Sequence, residues 1–176
     1  ILITLFKKQN VSNVRITSTN SENTTIVNLT ARWEIIKDPE LEIETNFTKW
    51  FINGSENNSF ENYTTIFAKN TTKHQDWSFN ISIFDGVGWT EPKTSPSITI
   101  QNSPPRIGSF SYPPSPRVTD NITCYFNVSD YDEDQLSINY SWINNSLQTI
   151  TGYKQVIHGQ IDNITLGSEN TSFGEV

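Results

Sequence analysis

The sequence has no methionine and a single cysteine, Cys124, among its 176 residues. It also has no apolar run of the roughly 20 residues needed to cross a bilayer, so we expect no membrane insertion within this segment. Lysine and arginine supply 12 residues against 19 aspartates and glutamates, a net charge of −7 that argues against nucleic-acid binding. The lack of methionine, also at position 1, indicates a processed or excised segment of an exported chain.

Catalytic motifs are missing as well. The two histidines, His74 and His158, have no serine or cysteine at a recognisable partner spacing, and the sequence has neither a metal-binding cluster of cysteines and histidines nor a glycine-rich phosphate loop. Cys124 falls on the inward side of a strand pattern, which predicts a buried or disulfide-bonded residue rather than a nucleophile. We therefore expect no enzyme activity and no required cofactor.

Asparagine, serine and threonine are abundant. Of 20 asparagines, 15 stand in Asn-X-Ser/Thr acceptors, whereas 40 serines and threonines would give about four or five by chance. The excess predicts a densely N-glycosylated surface and an extracellular location, although an Asn/Thr-rich composition alone is the competing explanation. The acceptors are Asn10, Asn23, Asn28, Asn46, Asn53, Asn57, Asn62, Asn70, Asn80, Asn121, Asn127, Asn139, Asn144, Asn163 and Asn170.

Short segments alternate between apolar and polar residues, whereas no long segment has a helical period. In "NITCYFNVSD", the apolar side chains fall on one face and the acceptors Asn121 and Asn127 on the other. Asn46 is an exception because it shares the parity of Trp50, so we expect it to precede the regular strand or to be unmodified. The alternation predicts an all-β fold.

The sequence repeats at a spacing of about 92 to 93 residues, the size of one β-sandwich domain. "NVRITSTNSENTTIVNLTARWEI" aligns without a gap with "RIGSFSYPPSPRVTDNITCYFNV", and one residue of slack then places Trp50 over Trp142. We predict an N-terminal strand at 1–10, which is either the end of a preceding repeat or a donor strand, a first domain at 11–103 and a second, incomplete domain at 104–176. Pro104 and Pro105 fit a short, stiff linker between the domains.

The repeat resembles the tandem Ig-like modules, PKD-like and cadherin-like, of archaeal and bacterial cell-surface proteins. The matching segments are "NSPPRI", "YPPSP", "DNITC", "SDYDEDQLS" and "YSW" in the second repeat, with "WSFNISIFDG" and "SPSITI" in the first. The resemblance covers nearly the whole chain and implies two tandem Ig-like β-sandwiches from an archaeal source. Its motifs are degenerate, so they indicate a module rather than an activity.

In the modules that the chain resembles, the cysteine of the second strand pairs with one in a later strand that begins Trp-X-Cys. The first repeat has Phe79 at that later position and Ala31 at the position of Cys124, so a small and a large apolar residue replace the bridge. In the second repeat, Val176 falls just before the expected tryptophan. We therefore expect the second sandwich to lack its last two strands, and Cys124 to have its disulfide partner outside this sequence.

An incomplete sandwich exposes an unpaired edge and part of its core, which proteins avoid. One explanation is that the sequence is a fragment of a longer array, whose next residues supply the missing strands. The other is strand complementation, in which a donor strand from another copy fills the second domain and the contact propagates into a filament. The candidate donor strand consists of Ile1, Leu2, Ile3, Thr4, Leu5 and Phe6.

The segment "SDYDEDQ" places Asp130, Asp132 and Asp134 at alternate positions, which is the carboxylate density of a calcium site. The resemblance to cadherin-like repeats also implies calcium near a domain junction. Against a metal, the first repeat has only "IKDPELE" at this place, no glycine provides a sharp turn, and an acidic solvated turn is the alternative.

These observations predict a heavily N-glycosylated extracellular structural protein, such as a segment or subunit of a cell-surface filament, stalk or S-layer. Its partners would be copies of itself or adjacent repeats of the same protein. The alternative is an adhesin, or a carbohydrate- or protein-binding Ig-like module of a larger secreted protein. For that alternative Trp89, in the turn "DGVGWTEP", is the candidate contact residue.

Overall fold

The structure, a computed structural model, describes residues 10–36, 45–86, 88–144 and 147–171. The predicted donor strand, Ile1 to Phe6, lies outside the described residues, as do Val176 and the side chain of Asn144. The chain divides into two compact units, Ile1–Asn102 and Ser103–Val176, called unit 1 and unit 2 below. The predicted domain limits, 1–10, 11–103 and 104–176, stay a prediction.

The described residues form strands and short 3₁₀ helices, and every pairing between strands is antiparallel. None of their helices is long and apolar enough to span a membrane. In unit 1 the strands are β1 (Asn10–Ser18), β2 (Leu29–Ile36), β3 (Thr45–Ile52), β4 (Ser55–Glu56), β5 (Thr65–Ile66), β6 (Asp76–Phe84), β7 (Lys93–Thr94) and β8 (Ile98–Thr99). In unit 2 they are β9 (Arg106–Ser111), β10 (Ile122–Ser129), β11 (Leu136–Asn144), β12 (Leu147–Val156) and β13 (Ile161–Leu166). The 3₁₀ helices are Asn58–Phe60, Ala68–Asn70 and Ser168–Asn170.

Unit 1 is a sandwich of two sheets. One sheet has the strand order β1-β2-β5 and the other β4-β3-β6-β7, with β8 also paired to β6. The first, second and fifth strands thus share one sheet, and the third strand pairs with the sixth in the other, as in Ig-like folds. The short β4 pairs with β3 and so lies in the second sheet.

The core of unit 1 is built on β6, whose inward side chains are all fully buried. Trp50, on β3, has its ring centroid 5.2 Å from that of Phe79 and 6.1 Å from that of Trp77. The Trp50 indole donates a 2.7 Å hydrogen bond to the carbonyl oxygen of Tyr63, so its polar group is satisfied. Ala31 is buried in the same cluster as Phe79, as the replacement of a disulfide by a small and a large residue requires.

Unit 2 contains the counterparts of the first five strands. Its sheets are β13-β10-β9 and β11-β12, the arrangement of β5-β2-β1 and β3-β4 in unit 1. No strand corresponding to β6, β7 or β8 is found among the residues described in unit 2. The predicted all-β class with Ig-like β-sandwich units is confirmed, and the described residues of unit 2 contain none of the strands that the second sandwich was expected to lack.

The core of unit 2 is correspondingly open. Ile107 and Phe110, on β9, are 66% and 60% exposed, whereas Val11 on β1 of unit 1 is buried. They line a cavity of about 330 Å³ together with Phe126, Ile138 and other residues of β10, β11 and β13. Because the described residues of unit 2 provide no counterpart of β6 beside β11, the apolar side chains of β9 remain in contact with water.

An ion pair connects the two sheets of unit 2. Lys154 on β12 lies 2.6 Å from the carboxylate of Asp162 on β13 and also donates to the carbonyl oxygen of Asn163. The hydrogen bond from Lys154, and next the backbone N–H of Asn163, hold the pKa of Asp162 below its usual value. This ion pair thus joins the two sheets of unit 2 through the consecutive strands β12 and β13.

Candidate metal centre and acceptor asparagines

Three aspartates meet in the turn between β10 and β11. The turn begins with Asp130, directly after the last residue of β10, and ends before Leu136, the first residue of β11. One carboxylate oxygen from each of Asp130, Asp132 and Asp134 lies within 4.8 Å of the other two. The structure therefore brings together the three carboxylates that the sequence pattern singled out.

Asp130 has the most unusual environment of the three. Its side chain is 4% exposed, and its Oδ1 atom accepts a 2.7 Å hydrogen bond from the backbone N–H of Asp132. Its Oδ2 atom is buried and has no hydrogen-bond partner among the residues that the structure describes. The backbone oxygen of Asp130 is 2.6 Å from Nε2 of His158, in the turn between β12 and β13. A buried carboxylate oxygen without a partner is costly, so this atom favours a cation beside it.

The shape of the turn differs from the sequence expectation. The sequence has no glycine here to allow a sharp turn, but Glu133 adopts the left-handed conformation with φ of 55°. Asp132 also fixes the turn, because its Oδ2 atom accepts a 2.7 Å hydrogen bond from the backbone N–H of Ser103. Ser103 is the first residue of unit 2, so the turn holds the start of this unit.

The donor set fits a hard divalent cation. Carboxylate oxygens are the ligands of Ca²⁺ and Mg²⁺, and among the described residues this cluster contains no imidazole or thiolate of the kind that zinc prefers. The orphaned Oδ2 atom of Asp130 is the structural observation that supports such a cation. Asp134 is half-buried and has an interaction of its own.

The described acceptor asparagines all keep some exposure to solvent. Asn46 differs from expectation in position, because it lies inside β3, half-buried, and pairs with Ile83 on β6. The exposed acceptors are Asn10, Asn53, Asn62, Asn121, Asn139, Asn163 and Asn170. The half-buried acceptors are Asn23, Asn28, Asn46, Asn57, Asn70, Asn80 and Asn127.

Many acceptors use their side-chain oxygen within the fold. Oδ1 accepts a hydrogen bond in Asn10, Asn23, Asn28, Asn53, Asn57, Asn121 and Asn127. Asparagines outside acceptor motifs are mixed, since Asn13 and Asn20 donate from Nδ2 and Asn102 accepts through Oδ1 from Lys73. Two acceptors depart from the trend: Asn170 donates from Nδ2, and Oδ1 of Asn80 is buried without a partner. Bonding through Oδ1 holds the amide while leaving Nδ2, the atom that carries an N-glycan, for the sugar.

Three acceptors also cap 3₁₀ helices, a role that the sequence did not reveal. Asn57 is the N-cap residue of Asn58–Phe60 and accepts from the backbone N–H of Ser59, whereas Asn28 and Asn121 cap helices that are distant in sequence. Oδ1 of Asn28 accepts a 2.9 Å hydrogen bond from the backbone N–H of Ala68, the first residue of a 3₁₀ helix whose own N-cap residue gives no side-chain bond. Oδ1 of Asn121 does the same, also at 2.9 Å, for Ser168 in unit 2. The signal was available in the repeat, because the gap-free alignment places Asn28 over Asn121.

Cys124, the single cysteine, lies on β10. Cys124 is a buried, free thiol in the described residues, and its burial raises its pKa. A disulfide to a partner outside this sequence stays a prediction.

Trp89 is 49% exposed, and its ring centroid lies 5.5 Å from that of Phe84 and 6.2 Å from that of Phe47. It is therefore the outermost member of a small aromatic cluster at the edge of unit 1.

Comparison with known proteins adds little to this picture. No protein-family model and no curated protein match the sequence. Among solved structures, the selenomethionine-substituted chicken interferon gamma receptor alpha chain is similar, with a TM-score of 0.46 and 10% identity over 89% of this chain and 81% of that chain. A likeness of this size carries no argument about function, and the Ig-like description rests on the strand order and pairing of each unit.

The capping role of Asn28 predicts a stability change that is independent of any sugar. In protein made without glycosylation, we expect Asn28→Ala to lower the free energy of unfolding by about 1 kcal/mol, because the N–H of Ala68 loses its partner. Asn28→Asp is the matched control, since it removes the acceptor motif but keeps the oxygen, and it should cost much less. Urea unfolding measures both, and an equal loss in the two variants would contradict the capping role.

Proposed function

We propose that this chain is a segment of an extracellular structural glycoprotein, part of a filament, stalk or S-layer on a cell surface. The observation that carries the proposal is the placement of the acceptors: none of the described ones is buried, and seven bond through Oδ1 alone. Glycosylation joins Nδ2 to the anomeric carbon of an activated sugar, with loss of one proton from Nδ2 and departure of the sugar's phosphate leaving group. Sugars on the outer faces would shield the strands from proteases and from edge-to-edge association.

The proposal extends to assembly. Unit 1 shows which kind of strand the open side of unit 2 could bind. In unit 1, β6 pairs with β3 and buries one face of alternating apolar side chains. The segment from Ile1 to Phe6 has one fully apolar face, formed by Ile1, Ile3 and Leu5. We propose that this segment of one copy pairs with β11 of the next, so that copies of the chain are the main partners. Adjacent repeats of a longer chain are the alternative source of that strand.

Calcium binding at the three aspartates belongs to the same proposal. A bound ion would place a positive charge beside the buried Oδ2 atom of Asp130, which has no hydrogen-bond partner among the described residues. The protein's own part is to hold the turn, through the Asp130 to Asp132 hydrogen bond and the bond from Ser103 to Asp132. The turn would then keep the start of unit 2 fixed to the end of β10.

An adhesin or a carbohydrate-binding module is the second candidate function, and one feature favours it. The exposed ring of Trp89, supported by Phe47 and Phe84, is an aromatic surface of the kind that binds the apolar faces of sugars. Loss of binding to a polysaccharide in Trp89→Ala, with an unchanged free energy of unfolding, would support that candidate over a purely structural one.

The placement of the acceptors predicts which asparagines carry sugar. In the native material, we expect mass spectrometry of peptides after enzymatic deglycosylation to find modified asparagine at most of the acceptors. Asn13, Asn20, Asn58, Asn102 and Asn145 lie outside acceptor motifs and serve as internal controls within the same chain. Unmodified acceptors throughout would overturn the glycoprotein proposal and leave the acceptor excess as a matter of composition.

The open side of unit 2 predicts assembly through the apolar face of the N-terminal segment. We expect the wild-type chain to form ordered polymers, seen by electron microscopy and sedimentation. The double substitution Ile3→Asp and Leu5→Asp should weaken assembly by roughly a hundredfold, because it buries charge in the groove. Thr4→Asp, on the opposite face of the same segment, is the matched control and should assemble normally. A wild-type chain that stays monomeric would assign the missing strands to the chain's own continuation.

The aspartate cluster predicts stabilisation by calcium. With a dissociation constant typical of extracellular modules, about 10 mM Ca²⁺ should stabilise the chain by roughly 1 to 3 kcal/mol in thermal unfolding. Asp130→Asn should abolish this gain. Asp120→Asn is the matched control, because Asp120 is in the same unit but outside the cluster and accepts a hydrogen bond from Arg117. An equal response to Ca²⁺ in both variants would show that the ion binds elsewhere.

A further inference from the structure

A shallow groove lies on the sheet formed by β9, β10 and β13 in unit 2. It has a volume of about 440 Å³ and is lined by Ser111, Tyr112, Pro113, Asn121, Thr123 and Tyr125. Thr123 and Tyr125 point outward, since Cys124 and Phe126 between and beside them are buried. The groove therefore lies on the outer face of the sheet and is separate from the open core of unit 2. Its volume is within the range of sites that bind small ligands.

The groove contains an attachment point for its own ligand. Asn121 is an acceptor and lines one end of the groove. Its Oδ1 atom is fixed by the 2.9 Å hydrogen bond from the backbone N–H of Ser168, so Nδ2 is the amide atom that remains for a sugar. A glycan linked at this atom begins inside the groove.

The other lining residues match the chemistry of a pyranose. Tyr125 is 49% exposed and Tyr112 is 64% exposed, and the ring centroid of Tyr112 lies 5.9 Å from that of Phe110. The face of an aromatic ring carries negative charge density, which attracts the C–H groups of a sugar. Pro113 adds an apolar surface beside them, and the hydroxyl of Ser111, opposite Tyr125 on β9, is a hydrogen-bonding group for sugar hydroxyls. Along a strand, Asn121 and Tyr125 are about 13 Å apart, the span of two linked sugars.

We propose that the groove is a seat for the first two sugars of the N-glycan on Asn121, which lie flat along β10 with their apolar faces against Tyr125 and Tyr112. This inference rests on the proposed glycosylation and adds a specific conformation for one glycan. It explains why two large aromatic side chains stay exposed beside an acceptor. A seated glycan covers them and also covers the outer side of β9, an edge strand of its sheet.

The acceptors Asn163 and Asn127 are near the same face but fit the groove less well. Asn163 is the cross-strand neighbour of Tyr125, and Asn127 bonds through Oδ1 to the backbone N–H and hydroxyl of Ser109. Neither lines the groove. A glycan on Asn127 would begin beyond the Tyr125 end of the groove, and one on Asn163 would begin beside Tyr125 on the neighbouring strand. Asn121 is itself part of the groove lining, so it is the attachment point that we assign.

Nuclear magnetic resonance of the full glycosylated chain tests the seat. The chain is secreted from a eukaryotic host, so that the probe is a glycan beginning with two N-acetylglucosamines, and peptide mass spectrometry first establishes occupancy of Asn121. The sugar signals that disappear in Asn121→Asp are those of this glycan. We expect some of them to show upfield ring-current shifts and nuclear Overhauser contacts to the ring of Tyr125.

Variants decide whether the ring causes the shift. Tyr125→Thr should return these signals to the positions of free sugar, and Tyr125→Phe should keep them shifted. Tyr153→Thr, at another exposed tyrosine but on β12 in the other sheet, is the matched control and should leave them unchanged. The contacts in the wild-type chain decide the question independently of whether Tyr125→Thr folds.

The possible outcomes distinguish failure of the proposed glycan seat from failure of the proposed glycosylation. An occupied Asn121 whose sugar signals are unshifted and lack contacts to Tyr125 overturns the seat and leaves the proposed glycosylation standing. Signals that vanish in Asn163→Asp rather than in Asn121→Asp assign the ring contact to the wrong glycan and also overturn it. An unoccupied Asn121 contradicts glycosylation at this site, and the seat with it.

Discussion

The burial of one strand, β6, is the constraint on which the rest of the structure depends. Its inward side chains, from Trp77 to Ile83, are fully buried, and they meet Trp50 from the neighbouring strand and apolar residues from the opposite sheet. A β-sandwich has no stable alternative to this contact, since each sheet has an apolar face that needs the other. In unit 2 the described residues offer no such strand, and the consequence is visible in exposed apolar side chains on β9.

The two-residue period of a strand decides the position of the acceptors as well as that of the core. Cys124 and Phe126 point inward, so Asn121, Thr123, Tyr125 and Asn127 are turned to the outer face. Seven acceptors also have a structural role, because their Oδ1 atom accepts a hydrogen bond from a turn, a helix end or a neighbouring strand. If these asparagines carry sugars, as proposed, glycosylation and local stability are coupled through single side chains, most clearly at the three capping asparagines.

The sequence predicted the fold through features that are local or repeated. Alternation identified the strands and the inward side of Cys124 and Phe79, and the repeat at about 93 residues identified which strands of unit 1 have no counterpart among the described residues of unit 2. It did not predict the bond from Asn28 to Ala68, because the partners are 40 positions apart. It also did not predict the conformation of the aspartate turn, where Glu133 adopts the left-handed conformation that glycine adopts without strain. The repeat aligns Asn28 with Asn121, but neither composition nor period identifies the distant backbone N–H that each one caps.

Dense glycosylation and addition of a strand to unit 2 are compatible for a geometrical reason. Hydrogen bonds between strands lie in the plane of the sheet, whereas side chains project above and below it. A sugar on Asn139, which is exposed on the edge strand β11, extends from the outer face and leaves the backbone of that strand able to pair. The only requirement is that the incoming strand has no acceptor on its inward face. In unit 1, β6 meets this requirement, since Asn80 lies between the buried Phe79 and Ile81 and points outward. The segment from Ile1 to Phe6 meets it too, because it contains no asparagine.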